Sequence, residues 1–225
     1  MIADTERYNR AIAAFDAANA QDPHLERAGG REHPKELLYA ERMSAMLERY
    51  APDASEALRL AVRCQHIQRW KIPRSDYPKT PQGYQQWRGR LMKFHADTAG
   101  AILRECGYDD ALTAQVQALL RKRELKSNPE TQILEDVIDL VFLECYLADF
   151  VASHGEYDAA KWTVILHKTA LKMSARGRLA ALTEIVLPEH LAPLVREVLG
   201  AVGAEAESLS GAPTGTSLRK SNRDP

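Results

Sequence analysis

The sequence predicts an all-α protein, and three observations carry that expectation. Apolar residues recur at helical spacing through nearly every segment. No stretch has the alternation of a half-buried strand. Helix-start and helix-stop residues punctuate the chain between the periodic segments.

The first helix is expected from about Thr5 to Ala20, and the Gly-rich loop RAGGREHP leads to a second from about His33 to Tyr50. Asp53, with Glu56 three residues on as a capping-box partner, opens a third helix that ends near Ile67. Pro73, Pro78 and Pro81 make the next stretch a rigid, non-helical loop. A long helix spans roughly Gln82 to Cys106, and Gly107 suits its left-handed cap. Another follows Asp110. Asn128 before Pro129 is an N-cap followed by proline at the first helical position, and the helix it opens, through about Ser153, is expected to be the central one. Asp158 starts the next, through Lys172, and shorter helices complete the fold. Periodicity is lost from Ala204, so residues 1–203 are expected to form one helical domain and residues 204–225 a disordered tail.

The bulk composition excludes several classes. Of 225 residues, 45% are hydrophobic and 27% charged, ordinary for one globular domain with a real core. A formal net charge of -1 argues against a partner as acidic as nucleic acid. Cys64, Cys106 and Cys145 are odd in number and form no Cys-x-x-Cys pair, which argues against both a disulfide framework and a zinc ribbon. The opening MIADTERYNR carries no apolar secretion core, and VIDLVFLECYLADFVA is broken by Asp139, Glu144 and Asp149. The expectation is a cytoplasmic protein with no membrane partner.

Chemistry concentrates where polar residues interrupt apolar helices. In CQHIQRWKIPR, Gln65 and His66 close an otherwise apolar helix before a proline turn. His33 opens the second helix, His95 lies inside the fourth, and Glu135 and Asp136 sit in QILEDVIDLVFLE. A buried carboxylate is costly unless paired or metal-bound. Imidazole and carboxylate together suit a divalent transition metal such as manganese, iron or zinc.

These segments resemble the HD-domain superfamily of metal-dependent phosphohydrolases, which implies an HD-domain-like helical bundle over roughly residues 30 to 175. HPKELLYAERM resembles the helix of the first His, which puts His33 in that role. LAVRCQHI resembles the helix ending in the signature His-Asp pair, with Gln65 at the His and His66 at the Asp. FHADTAGAILRECGY resembles the segment that brings a further His, here His95, and ILEDVIDL the final Asp helix, here Asp136. The resemblance therefore implies metal ligands His33, His66, His95 and Asp136, with the signature pair replaced by Gln-His. The stretches QHIQRWKIPR, GYQQWR, KFHADTA, PETQILEDVIDLVFLE and ILHKTALKMS also closely resemble an uncharacterised family catalogued as a domain of unknown function, number 4202.

A shell of further residues gives the site a substrate sign. Arg69, Arg74, Lys168 and Lys172 are candidate clamps for phosphate, Gln65 and Trp70 candidate substrate contacts, and Glu135 or Asp139 a candidate base. Each has an ordinary alternative: Arg69 and Arg74 bracing the proline loop, Lys168 and Lys172 on a solvated face, Asp136 in a structural pair. Trp87 reads as a packing anchor, and RKRELK as a helix C-terminus complementing the dipole. The leading expectation is a metal-dependent hydrolase of a small phosphorylated molecule, a nucleotide among the candidates. The alternatives are an HD-like iron oxygenase and a metal-free binding or regulatory module.

Overall fold

The computed structural model of the chain describes residues 2, 4–125 and 127–210. Helix α1 (Thr5–Asn19) starts where Asp4 accepts a hydrogen bond from the Arg7 amide. A short antiparallel hairpin follows, β1 (Leu25–Ala28) and β2 (Arg31–Pro34), in register Glu26 to His33. Gly29 and Gly30 turn it with φ of 57° and 78°, a backbone that side-chain-bearing residues resist. No strand was expected there, because four-residue strands on an exposed ribbon need no apolar alternation. His33 consequently lies in a strand, and α2 (Lys35–Tyr50) begins two residues later than expected.

Ser55, not Asp53, caps α3 (Glu56–Arg63) by accepting from the Leu58 amide. Glu56 is therefore the first helical residue and cannot close a capping box; it accepts from the Tyr108 hydroxyl at 2.6 Å. The proline loop contains two 3-10 turns, Arg69–Lys71 and Arg74–Asp76. Thr80 then caps α4 (Pro81–Glu105), and Gly107, at φ 87°, ends it as the sequence predicts. After α5 (Asp110–Leu120), Asn128 accepts from the Glu130 and Thr131 amides to open α6 (Pro129–Val141).

The helix does not stop at Val141. It widens into a π turn at Phe142–Tyr146 and resumes as α7 (Leu147–Ala152). Asp158 caps α8 (Ala159–Lys172), Ser174 caps α9 (Ala175–Thr183), and α10 (Ala192–Ser210) closes the described chain. Helical backbone thus continues past Ala204 to Ser210, and the rest of the expected tail lies outside the described residues.

The fold is all-α. Helix α6 touches α2, α3, α5, α8 and α9, which makes it the axis of the bundle. Leu134, Val137, Leu140 and Val141 of α6 are fully buried among residues such as Phe15, Met43, Leu58, Leu60 and Leu103. Burying each such side chain contributes about 1.5–3 kcal/mol. Among the described residues, no helix is long and apolar enough to cross a membrane.

Candidate functional site

One face of α6 does not meet another helix. Together with α2, the turn after α3, α4, the turn after α5, and α8 it encloses a cavity of about 530 Å³. The chain reaches that space with charge. Lys35, Arg69, Arg88, Lys122 and Lys172 line it against Glu36, Glu135 and Asp139. Tyr39, Trp87, Phe142 and Tyr146 add aromatic walls.

At the corner after α3, His66 stacks on Tyr39 with centroids 4.2 Å apart. Arg69 donates to its Nε2 at 2.9 Å, so that nitrogen is an acceptor and Nδ1 carries the proton, facing Glu36 at 3.4 Å. Burial, then the charge of Arg69, pushes the imidazole pKa well below its usual range, and the ring is neutral. The Arg69 guanidinium lies over the Trp87 ring at 4.8 Å, and Trp87 donates to the Ile72 carbonyl at 2.9 Å. Trp87 is therefore cavity wall as well as anchor. Burial raises the Glu36 carboxyl to about 7, against the opposing pull of Arg69.

Across from this corner, His95 donates from Nδ1 to the Ile67 carbonyl at 2.8 Å. A carbonyl only accepts, so the tautomer is fixed and Nε2 keeps a lone pair with no partner among the described residues. Burial, with His66 beside it, depresses this ring to about 3. The two imidazoles are 5.9 Å apart.

On α6, Glu135 and Asp139 stand one turn apart and both face the cavity. Lys172 donates to Glu135 at 3.2 Å and to Asp139 at 2.7 Å, and Lys122 donates to the other Glu135 oxygen. Burial would raise Glu135, but Lys122 and Lys172 outweigh it and hold the carboxyl below its usual range. Among the described residues Asp139 forms an ion pair with Lys172 alone, and burial raises its carboxyl to about 6 against the pull of that lysine. Lys122 reaches inward because it takes a left-handed φ of 50° just beyond α5, where its amide bonds Leu119 and the next amide bonds Ala118.

Asp136 points elsewhere. Its carboxylate accepts from the Tyr50 hydroxyl at 2.8 Å, Gln132 at 3.1 Å, the Ser174 amide at 2.8 Å and the Ser174 hydroxyl at 2.6 Å. A Cβ on Gly177 would sit 2.5 Å from it, so the start of α9 packs directly on this carboxylate. Arg63, a conceivable partner, instead pairs with Asp16 at 2.7 Å.

The expected residues are thus divided. Gln65, His66, Arg69, His95, Glu135, Asp139 and Lys172 share the cavity; His33, Trp70, Arg74, Asp136 and Lys168 do not line it. His33 stands in the hairpin opposite Glu26, and Arg74 donates to the Tyr77 and Pro78 carbonyls, bracing the proline loop. Glu36, Tyr39, Arg88 and Lys122 line the cavity without having been singled out. Only Glu36 left a trace in the sequence, an acid one residue into an amphipathic helix.

The four residues expected to share a transition metal are separated by this arrangement. Asp136 is saturated, His66 offers no free nitrogen, and His33 lies in the hairpin. Among the described residues, no group of three or more His, Cys, Asp or Glu is placed to hold a metal ion. The donor set does not fit the metal.

The sequence model of the family described as Domain of unknown function (DUF4202) matches residues 9–195, and the chain belongs to that family. No curated protein and no solved structure matches the chain.

Proposed function

We propose that this member of the DUF4202 family binds a small phosphorylated or comparably anionic molecule in the cavity. The observation that carries the reading is the charge of the walls: five basic side chains against three carboxylates, with both histidines depressed toward the neutral form. Glu135 and Asp139 are already matched by Lys122 and Lys172. Lys35 and Arg88 have no ion pair among the described residues, and Arg69 is held flat on Trp87. A planar guanidinium and a mobile ammonium group suit phosphate oxygens.

Calorimetric titration with pyrophosphate and with a nucleoside monophosphate, in buffer containing chelator, tests this. Saturable binding that Arg88→Gln weakens about tenfold, the loss of one charge-assisted contact, supports the reading. Absence of binding to every phosphorylated probe overturns it.

Hydrolysis of the bound molecule is a second reading, supported by the HD-domain resemblance and by Asp139, whose Oδ2 has no partner and whose carboxyl rises to about 6. In that reaction the Asp139 carboxylate takes a proton from water as the water oxygen bonds to phosphorus. The bond from phosphorus to the leaving oxygen breaks, and protonated Glu36 supplies that oxygen with its proton. No step is routed through a metal, because the expected ligands do not converge. Phosphate release that persists in chelator and vanishes in Asp139→Asn, with binding retained, is the expected outcome. Release that strictly requires added metal would reinstate a metal site. An iron oxygenase would need a ligand group that the described residues lack. A cytoplasmic location is part of the same proposal, and three cysteines that form no disulfide with one another are compatible with it.

A further inference from the structure

The cavity has a second chemical character, opposite to its charge. Besides the half-buried Tyr146 hydroxyl, which can donate or accept, three buried side chains that line the cavity, Gln65, His95 and Asp139, each carry an atom without a hydrogen-bond partner among the described residues: Gln65 Oε1, His95 Nε2 and Asp139 Oδ2. They are 9%, 3% and 3% exposed, and all three atoms are acceptors. For His95 this is fixed by the carbonyl of Ile67 on its other nitrogen.

Leaving such groups unpaired in a folded interior is costly, so each marks a contact still to be made. The phosphate group of a monoester is a poor match for it, because near neutral pH it is mostly the dianion, which presents acceptors and negative charge. A bare cation is disfavoured by the five basic walls. What satisfies three acceptors is a group of O–H or N–H donors. The aromatic walls Tyr39, Trp87, Phe142 and Tyr146 add flat apolar surface of the kind that covers the C–H face of a ring.

Resting on the anion-binding reading above, we infer that the ligand is a phosphate monoester of a polyhydroxylated ring, a sugar phosphate in the broad sense that includes nucleotides through their ribose. Its phosphate lies toward Arg69, Arg88 and Lys35, and its hydroxyl groups donate to His95, Asp139 and Gln65. A cavity of about 530 Å³ is of the size that takes one such molecule. The two halves of the site make different demands: the basic mouth selects charge, and the acceptor floor selects hydroxyls.

The test uses wild-type protein and matched probes. Glucose 1-phosphate, ribose 5-phosphate and a nucleoside 5′-monophosphate are titrated beside cyclohexyl phosphate, which keeps the ring and the charge but lacks the hydroxyls. The best hydroxylated probe is expected to bind at least about tenfold tighter than cyclohexyl phosphate, the worth of one good buried hydrogen bond. With ¹⁵N-histidine labelling, the His95 Nε2 resonance moves toward the hydrogen-bonded position with the hydroxylated probe and stays with cyclohexyl phosphate. Equal affinity for all the phosphates, with His95 unmoved, overturns this inference and leaves anion binding standing. Failure of every phosphate to bind overturns both.

Discussion

Three carboxylates of α6, Glu135, Asp136 and Asp139, fall within five consecutive positions and meet three different environments. Glu135 is clamped by two lysines, Asp139 keeps one oxygen for the cavity, and Asp136 is turned by about 100° to latch α9. The sequence flags all three by one signal, an acid in an apolar run. It also flags Gln65, His66 and His95 correctly as polar groups inside the bundle. What it cannot say is which side of the helix faces a void and which faces a neighbour. The HD-domain resemblance makes Asp136 a ligand, while its hydrogen bonds hold it on the side that faces α9. With four hydrogen bonds arriving at its carboxylate, Asp136→Ala is expected to destabilise the fold by about 3 kcal/mol or more, since it strands buried donors. For a chain of this size that lowers the melting temperature by about 6–12 °C. Thermal unfolding followed by circular dichroism measures it. An unchanged melting temperature with lost ligand binding would return Asp136 to the site.

At the level of elements, the legible boundaries are those with local capping chemistry. Asn128-Pro129, Asp158 and Gly107 act where expected because a cap is decided by a few neighbouring atoms. The α3 start was displaced from Asp53 to Ser55 because both residues are good caps and tertiary packing chose between them. Lys122 was hidden for a related reason. RKRELK reads as a helix C-terminus complementing the dipole, but the left-handed residue after α5 reverses the chain and sends one lysine inward. The proline loop is seated on α4 just as locally: a Cβ on Gly83 would lie 2.3 Å from the Pro78 carbonyl oxygen, a backbone atom that cannot rotate away. Gly83→Ala is therefore expected to cost about 1–3 kcal/mol, as overpacking does. Amide exchange should quicken across residues 69–80, the segment that carries Arg69. Unaltered exchange there would mean that the loop is held by Trp87 and Arg74 alone.

For the molecule as a whole, the buried acid Glu36 ties stability to pH. Its carboxyl is raised from 4.5 to about 7 by burial, so the folded state binds a proton that the unfolded chain has released. Its contribution is complete below about pH 4.5, declines as pH rises through about 7, and is flat beyond. Glu36→Gln removes this dependence. The difference in unfolding free energy between the variant and wild type should shift in the variant's favour by up to about 3 kcal/mol from pH 4 to pH 8. Urea unfolding at several pH values reads it, and a difference independent of pH would show that Glu36 titrates normally.

The π turn at Phe142–Tyr146 makes the number of residues, and not only their kind, a property of the site. Ile138, Phe142, Tyr146 and Phe150 all line the cavity at intervals of four, yet in a regular α-helix each such step drifts about 40°. The wider turn holds one extra residue, and so takes back about 100° of that accumulated rotation. Removing any single residue between Phe142 and Tyr146 would leave an uninterrupted and well-bonded helix. It would also leave the net rotation from Ile138 to Phe150 unchanged, because the residue lost takes with it the about 100° that the wide turn had absorbed, so Phe150 would stay in the wall. This stretch can therefore lose one residue and still turn Phe150 to the cavity, whereas regularising it to α-helix at full length would swing Phe150 about 100° out of the wall.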